Sequence, residues 1–355
     1  MRLALRLAQR GLGRVWPNPA VGCVIVDARG TIAGQGWTQD GGRPHAETEA
    51  LRQAGVLARG ATAYVTLEPC AHQGQTGPCA EALLAAGVSR VVSACEDPDQ
   101  RVAGRGHAKR REGGVEILTG VLKSEACVLN AGFLSRIQKQ RPFVTLKLAS
   151  TLDGRIALPS GESKWITGEA ARAHAHLVRA QHDAVLVGIG TVLADDPELT
   201  CRLPGVDHRR LIRIVADSRA RLPALSKLAQ GALRQPVWLI TGPKAETAQL
   251  QASNVRVIPV AAPDGVIDLA AALFALAEAG LTRVLVEGGA RLASSLLKSG
   301  LADQLLWYRA PCVMGDGASA VSGLGISRLA EMPRVMRKET IRLGEDVLET
   351  YLFGT

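Results

Sequence analysis

His45-Ala46-Glu47, followed by Pro69-Cys70 and Pro78-Cys79, constrains this chain more than any other feature. One His, two Cys and a nearby Glu are the parts of a zinc site with three protein ligands and an open position for water. Zinc lowers the pKa of such a water toward neutrality. A carboxylate that is not a ligand can then move a proton to a leaving amine. For the three ligands to meet, the local fold has little freedom. His45 and Glu47 open a helical run, residues 61–67 read as a buried strand delivering Glu68-Pro69-Cys70, and Cys79 starts a second helical run. Two helix N-termini and a strand end therefore converge, where helix dipoles favour thiolate over thiol. The usual zinc-deaminase signature has two residues between its cysteines. Here residues 71–78 intervene, and that loop is expected to fold back as a pocket wall. The alternatives are a closed structural site, with His72 as fourth ligand, or two unligated core cysteines.

A chain of 355 residues exceeds one ordinary core, so two domains are expected. Aromatics make up only 3% of it while Ala, Leu, Val and Gly dominate, which suits α/β layers better than a β-sandwich. No apolar stretch reaches membrane-spanning length and the first helix carries no signal-peptide pattern, so a cytoplasmic protein is expected. Cys23, Cys95, Cys127, Cys201 and Cys312 follow no disulfide spacing and read as buried thiols of a reducing compartment. The net charge of +9 is uneven: residues 1–141 hold 18 Lys and Arg against 12 Asp and Glu, the remainder 24 against 21. Only Lys109-Arg110-Arg111 is a basic cluster, and it reads as a solvated helix face. With so few aromatics to stack on bases, the excess charge points to a phosphorylated small molecule and not to nucleic acid.

The first half alternates between helix and strand. A helix at 2–11, a hairpin of strands around 21–26 and from 31, then helices at 46–54, 79–86 and 105–112 alternate with strands at 62–67, 90–95 and 115–118. A helix near 123–138 closes the unit. Arg141-Pro142 marks a boundary, giving domains 1–141 and 142–355. Strands at 143–149, 184–188, 211–216, 237–240, 255–258, 283–286 and 347–352 alternate with helices near 168–181, 268–279 and 290–298 in the second half. It has no GxGxxG opening, so an ordinary Rossmann unit is not expected. Glu287-Gly288-Gly289 runs from a strand into a helix, either as a phosphate-binding turn or simply as a tight one. Asp195-Asp196 before Pro197 reads as a helix N-cap and turn, not as a metal pair.

Taken in order, the motifs resemble the bacterial bifunctional riboflavin-biosynthesis family. That family joins a diaminohydroxyphosphoribosylaminopyrimidine deaminase to a 5-amino-6-(5-phosphoribosylamino)uracil reductase. In the first half the resemblance rests on Pro17-Asn18-Pro19-Ala20-Val21-Gly22, His45-Ala46-Glu47, Thr66 to Cys70, Gly77-Pro78-Cys79 and Asp97-Pro98-Asp99. In the second it rests on Lys147 to Ser150, Leu152-Asp153-Gly154, Ser163 to Thr167, Gly190-Thr191-Val192, Asp195 to Thr200, Arg202, Asp217-Ser218 and Glu287-Gly288-Gly289.

The resemblance implies an α/β chain: a cytidine-deaminase-like three-layer domain, then a dihydrofolate-reductase-like domain. It implies zinc on His45, Cys70 and Cys79, with Glu47 as proton shuttle and Asn18 at the substrate. It places NADPH against Ala149, Trp165, Thr191, Asp195, Ser218, Gly288 and Gly289. A phosphorylated pyrimidine ribotide would meet Ser163, Arg179, Leu199, Arg202 and Glu287. Arg179 and Arg202 are expected to grip its phosphate bidentately, and Lys147 and Glu287 both remain open as the reductase proton donor. A homo-oligomer through the reductase domain is also implied. The chain departs from the family pattern with Glu49 where many relatives have His, Gly77 where Pro is usual, and Arg110 on an ordinarily apolar helix position. The main competing reading is a nucleic-acid-editing zinc deaminase. A non-catalytic zinc module, with a closed site and no task for Glu47, is a third.

Overall fold

The structure is a computed structural model that describes residues 1–70, 77–98 and 114–354. The expected helix at 105–112, Lys109-Arg110-Arg111 and His72 lie outside the described residues. The chain divides into two compact units, Met1–Arg141 and Pro142–Thr355.

The first unit holds α1 (Arg2–Gln9), β1 (Gly22–Val26), β2 (Ile32–Trp37), α2 (Ala46–Ala54), β3 (Thr62–Val65), α3 (Cys79–Ala85), β4 (Arg90–Ser93), β5 (Glu116–Thr119), α4 (Lys123–Leu129) and α5 (Ala131–Lys139). Its sheet runs β2-β1-β3-β4-β5. β1 pairs antiparallel with β2 and β3, while β3, β4 and β5 are parallel. Small residues explain how α2 reaches the sheet. A Cβ on Gly36 of β2 would collide with the carbonyl of Ala46, and Ala46, Ala50 and Ala54 are buried on the facing side of the helix. That close approach sets the position of the α2 N-terminus. The helix expected near 123–138 is instead two, α4 and α5, broken at Asn130. The buried Asn130 side chain accepts a hydrogen bond from Ala20 N at 3.0 Å, so it serves the loop leading into β1.

The second unit is built on a nine-stranded sheet. Its strands are β6 (Phe143–Ser150), β8 (Ala184–Gly188), β9 (Ile212–Ala216), β10 (Val237–Thr241), β11 (Arg256–Pro259), β12 (Arg283–Glu287), β13 (Gln304–Arg309), β15 (Val335–Leu343) and β16 (Asp346–Phe353). A separate small ribbon pairs β7 (Arg155–Ala157) with β14 (Ala318–Ser319). Helices α6 (Glu169–Ala180), α7 (Ile189–Asp195), α8 (Lys227–Gln230), α9 (Ala248–Ala252), α10 (Leu269–Glu278) and α11 (Ala290–Lys298) lie between the strands in sequence. The sheet order is β11-β10-β9-β8-β12-β6-β13-β16-β15. Pairing is parallel from β11 through β13 and antiparallel from β13 to β16 and β15. β10 is buried throughout and β8 in all but its last residue, as parallel strands covered on both faces require. Four strands add to those read from sequence: β13 and β15 in the large sheet and the β7–β14 ribbon. Asp195 and Asp196 end α7 instead of beginning a helix: Asp196 takes a left-handed backbone at φ 39° and accepts from Lys227 N at 3.0 Å. Of the five cysteines outside the cluster, Cys23, Cys95 and Cys201 are buried, Cys127 is half-buried and Cys312 is exposed.

Candidate active sites

In the first unit, three elements bring three ligand atoms together. His45 caps α2 and Cys79 is the first residue of α3, while Cys70 follows the end of β3. The strand end is braced from both neighbours: Glu68 N donates to Cys95 O, just past β4, at 2.9 Å, and Thr66 Oγ1 accepts from Gly22 N of β1 at 3.0 Å. His45 Nδ1 lies 3.3 Å from Cys79 Sγ and 3.7 Å from Cys70 Sγ, and all three ligand atoms lie within 4.8 Å of one another. A tetrahedral zinc with Zn–S near 2.3 Å and Zn–N near 2.0 Å holds its ligand atoms about 3.5–3.8 Å apart. The donor set fits zinc, and the two His45–Cys separations lie close to these values.

The electrostatics match. Cys70 Sγ accepts from the Cys79 thiol, which holds Cys70 down at about 4; that same bond, with burial, pushes Cys79 up. Two sulfurs and an imidazole competing for a proton suit a dication. Glu47 lies in the first turn of α2, 3% exposed, and its charge acts on His45, Cys79 and Cys23. Glu49 forms an ion pair with Arg52 at 3.1 Å. Asn18 Nδ2 donates to Gly42 O at 3.1 Å, three residues before His45.

In the second unit, a cavity of about 560 Å³ opens at the C-terminal ends of the adjacent strands β8, β12 and β6, where ligands of parallel α/β sheets bind. Of the residues singled out from sequence, Lys147, Ala149, Ser163, Trp165, Arg179, Thr191, Asp195, Leu199, Arg202, Glu287 and Gly288 line it. Ser218 and Gly289 do not. Ser218 Oγ donates to Gly265 O at 2.6 Å, and Gly289 is the N-cap of α11, directly after Gly288. Both glycines have φ near 80°, and a Cβ on Gly288 would lie 3.2 Å from Thr191 Oγ1. The double glycine thus makes a cradle between α7 and the α11 N-terminus, whose free backbone amides suit a phosphate. With the exposed indole of Trp165 at the rim, this cavity fits a dinucleotide such as NADPH.

A smaller cavity of about 290 Å³ shares Lys147, Trp165, Arg179, Arg202 and Glu287, and adds Ala171, Ala175, His176 and Tyr308. Register explains its charged core. Lys147 of β6 is paired with Glu287 of β12, and their side chains meet at 4.0 Å. Arg179 Nη2 donates to Glu287 at 2.9 Å, its Nε donates to the other carboxylate oxygen, and its Nη1 donates to Thr200 O at 2.9 Å. The fork of Arg179, expected to grip phosphate bidentately, is turned to Glu287. Arg202, paired with Glu198 at 3.3 Å, is half-exposed. Burial opposes the charge on Glu287, but Arg179 and Lys147 outweigh it and hold the carboxyl at about 2. Burial lowers the pKa of Lys147, with Glu287 opposing.

Sequence reasoning missed Arg172, His176 and Tyr308. The first two lie on the helical face that carries Arg179, three or seven residues away, and that spacing was the available signal. Other family motifs prove to be braces. Asp153 accepts from Met314 N at 3.1 Å and Gly315 N at 2.7 Å, and Asp217 accepts from Leu222 N at 3.0 Å.

Comparisons with known proteins agree across the chain. The profile of the cytidine and deoxycytidylate deaminase zinc-binding region matches residues 1–95, and that of the RibD C-terminal domain matches residues 142–348. The riboflavin biosynthesis protein RibD of Escherichia coli is 43% identical, covering 98% of this chain and 96% of that protein. RibD of Aquifex aeolicus is 41% identical over the same shares. The solved structure of Acinetobacter baumannii RibD superposes with a TM-score of 0.91 at 39% identity, covering 100% of this chain and 98% of that one. A diaminohydroxyphosphoribosylaminopyrimidine deaminase/5-amino-6-(5-phosphoribosylamino)uracil reductase from Thermotoga maritima does so with a TM-score of 0.88 at 36% identity, covering 100% and 97%. A zinc-binding deaminase half and a dihydrofolate-reductase-like half on one chain, matched to such relatives over its full length, place it in a family: the chain belongs to the RibD family of bifunctional deaminase–reductases of riboflavin biosynthesis.

Proposed function

We propose that residues 1–141 deaminate a phosphorylated pyrimidine ribotide with zinc, and that residues 142–355 then reduce its ribosyl group to a ribityl chain with NADPH. The Thermotoga maritima relative is named for both activities, and this chain is read as taking the same substrate. The observation that carries the reading is the convergence of His45, Cys70 and Cys79 beside a buried Glu47. These three residues would hold the metal, which when bound supplies an activated water. Glu47 takes the proton of the attacking water and returns it to the leaving amine. Asn18, held by Gly42, faces the pyrimidine.

In the second half, Ala149, Trp165, Thr191, Asp195, Ser218, Gly288 and Gly289 bind NADPH, which supplies hydride. Ser163, Leu199, Arg202 and Glu287 orient the substrate, and Arg179 keeps Glu287 in place. The more exposed Arg202, with Arg172, takes the phosphate. Glu287, held at about 2, has no proton to give near neutral pH. Lys147 therefore donates the proton that the reduction consumes, and its lowered pKa favours the transfer.

Among the described residues no helix is long and apolar enough to cross a membrane. We place the enzyme in the cytoplasm, acting on a small molecule and not on nucleic acid, as a homo-oligomer through the reductase half. The outermost strand β15, with Val335 and Met336 exposed, supports that association.

Two variants test the assignment in separate half-reactions. Glu47→Gln keeps zinc and NADPH-dependent reduction but loses deamination, by roughly 100-fold or more. Lys147→Met keeps deamination and loses the reductase kcat to a similar degree. Retained deamination in Glu47→Gln would remove the proton shuttle from the account.

A further inference from the structure

Tyr308 is a large, fully buried side chain in the wall of the smaller cavity, 1% exposed, and nothing above gives it a task. It lies on β13, paired in register with Ala149 of β6, so it shares a sheet face with Lys147 two residues earlier. Lys147 Nζ stands 5.6 Å from the centroid of the Tyr308 ring. The Tyr308 hydroxyl is tied to His174 Nδ1 of α6 at 2.8 Å, with the two rings 5.9 Å apart and tilted by 56°.

We propose that Tyr308 is a positioning residue for Lys147: its ring face holds the ammonium over the cavity. This rests on the reading of Lys147 as proton donor. A buried ammonium is disfavoured by lost hydration, and the surroundings must offset that. Glu287 faces Lys147 from β12, but its carboxylate is committed to Arg179 of α6. Arg172 and Arg179 of α6, with Arg202, line the same cavity as cations, and burial beside Arg179 and Arg202 lowers the pKa of His176, so it brings no carboxylate-like relief to Lys147. An aromatic face within about 6 Å is attractive to an ammonium and more so when desolvated. The ring therefore keeps Lys147 charged and aimed without adding a second carboxylate that would pair with it. Burial lowers the pKa of His174, with Glu339 opposing, so the neutral imidazole accepts a hydrogen bond from the tyrosine hydroxyl.

The test compares Tyr308→Phe with replacement of Tyr308 by pentafluorophenylalanine, in the full chain. The two rings have nearly the same shape, but fluorination reverses the sign of the face potential. The Lys147 ammonium is titrated by NMR of isotope-labelled lysine side chains, its signal identified by loss in Lys147→Met. The reductase kcat is followed against pH in parallel. We expect the Phe ring to keep the Lys147 midpoint and the fluorinated ring to lower it by roughly half to one pH unit. Because Lys147 acts protonated, the alkaline limb of kcat should move down with it. Equal midpoints in the two variants overturn the positioning role, whatever kcat does. A midpoint that moves while the kcat limb stays fixed upholds the positioning by Tyr308 and instead refutes Lys147 as the proton donor.

Discussion

Arg179→Met isolates the buried charge cluster that organises the reductase cavity. Arg179 is 13% exposed and Glu287 9% at the side chain, and among the described residues the substitution leaves the carboxylate with Lys147, 4.0 Å away, as its ion-pair partner. Removing one partner of a buried pair costs about 3–5 kcal/mol, because the remaining charge is left without compensation. The depressed pKa of Glu287 reflects the same pairing. Burial alone would raise it, and Arg179 and Lys147 hold it at about 2, so the carboxylate stays ionised because of its partners. For a domain of this size, about 3–5 kcal/mol lowers the midpoint of unfolding by on the order of 10 °C. Scanning calorimetry of Arg179→Met, Glu287→Gln and the double variant reads the effect. The double variant, with neither charge buried alone, should be more stable than Arg179→Met. If instead the two losses simply add, the pair is not coupled, and the argument from Arg179 to an ionised Glu287 fails.

The remaining predictions concern the other parts of the two sites. Gly288→Ala forces a side chain onto a backbone at φ 80° and 3.2 Å from Thr191 Oγ1, so NADPH affinity should fall at least several-fold in a fluorescence titration while deamination stays intact. Removing zinc with a chelator should abolish deamination and leave NADPH oxidation with the deaminated substrate, and metal analysis should find one zinc per chain. In acid, Glu287 sets a stability limit. Its folded pKa lies below its unfolded one, so its contribution is complete above about pH 4.5 and is lost as pH falls toward 2. Glu287→Gln should therefore flatten the acid dependence of denaturant unfolding across that window.

The zinc cluster was legible because its spacing is local: each ligand sits at the edge of one element, and those edges carry their own signals in Pro69, Pro78 and the helical run after His45. The double glycine was legible as a turn. Its purpose, close approach by Thr191, depends on a residue 97 positions away. Lys147 and Glu287 could be named, but not told apart as proton donors, because their difference comes from the register of β6 on β12 and from Arg179. β13 is hard to read because Leu305-Leu306-Trp307-Tyr308 is a short apolar run without alternation, which periodicity does not tell from a buried helix segment. With it went Tyr308. β15 was hidden for the opposite reason: on an exposed edge, Arg337-Lys338-Glu339 has no apolar face to reveal a strand. The break at Asn130 follows from a tertiary hydrogen bond to Ala20, to which helical periodicity is blind.

The central claim is that one chain performs two consecutive reactions on one substrate. Mass spectrometry of the product formed from the diaminopyrimidine ribotide by zinc-loaded protein, with and without NADPH, tests it most directly. The account predicts exchange of one amine for oxygen without NADPH and a further gain of two hydrogens when NADPH is present. Absence of both changes would contradict the assignment of either site, and the first change alone would contradict the role given to the cavity around Lys147 and Glu287.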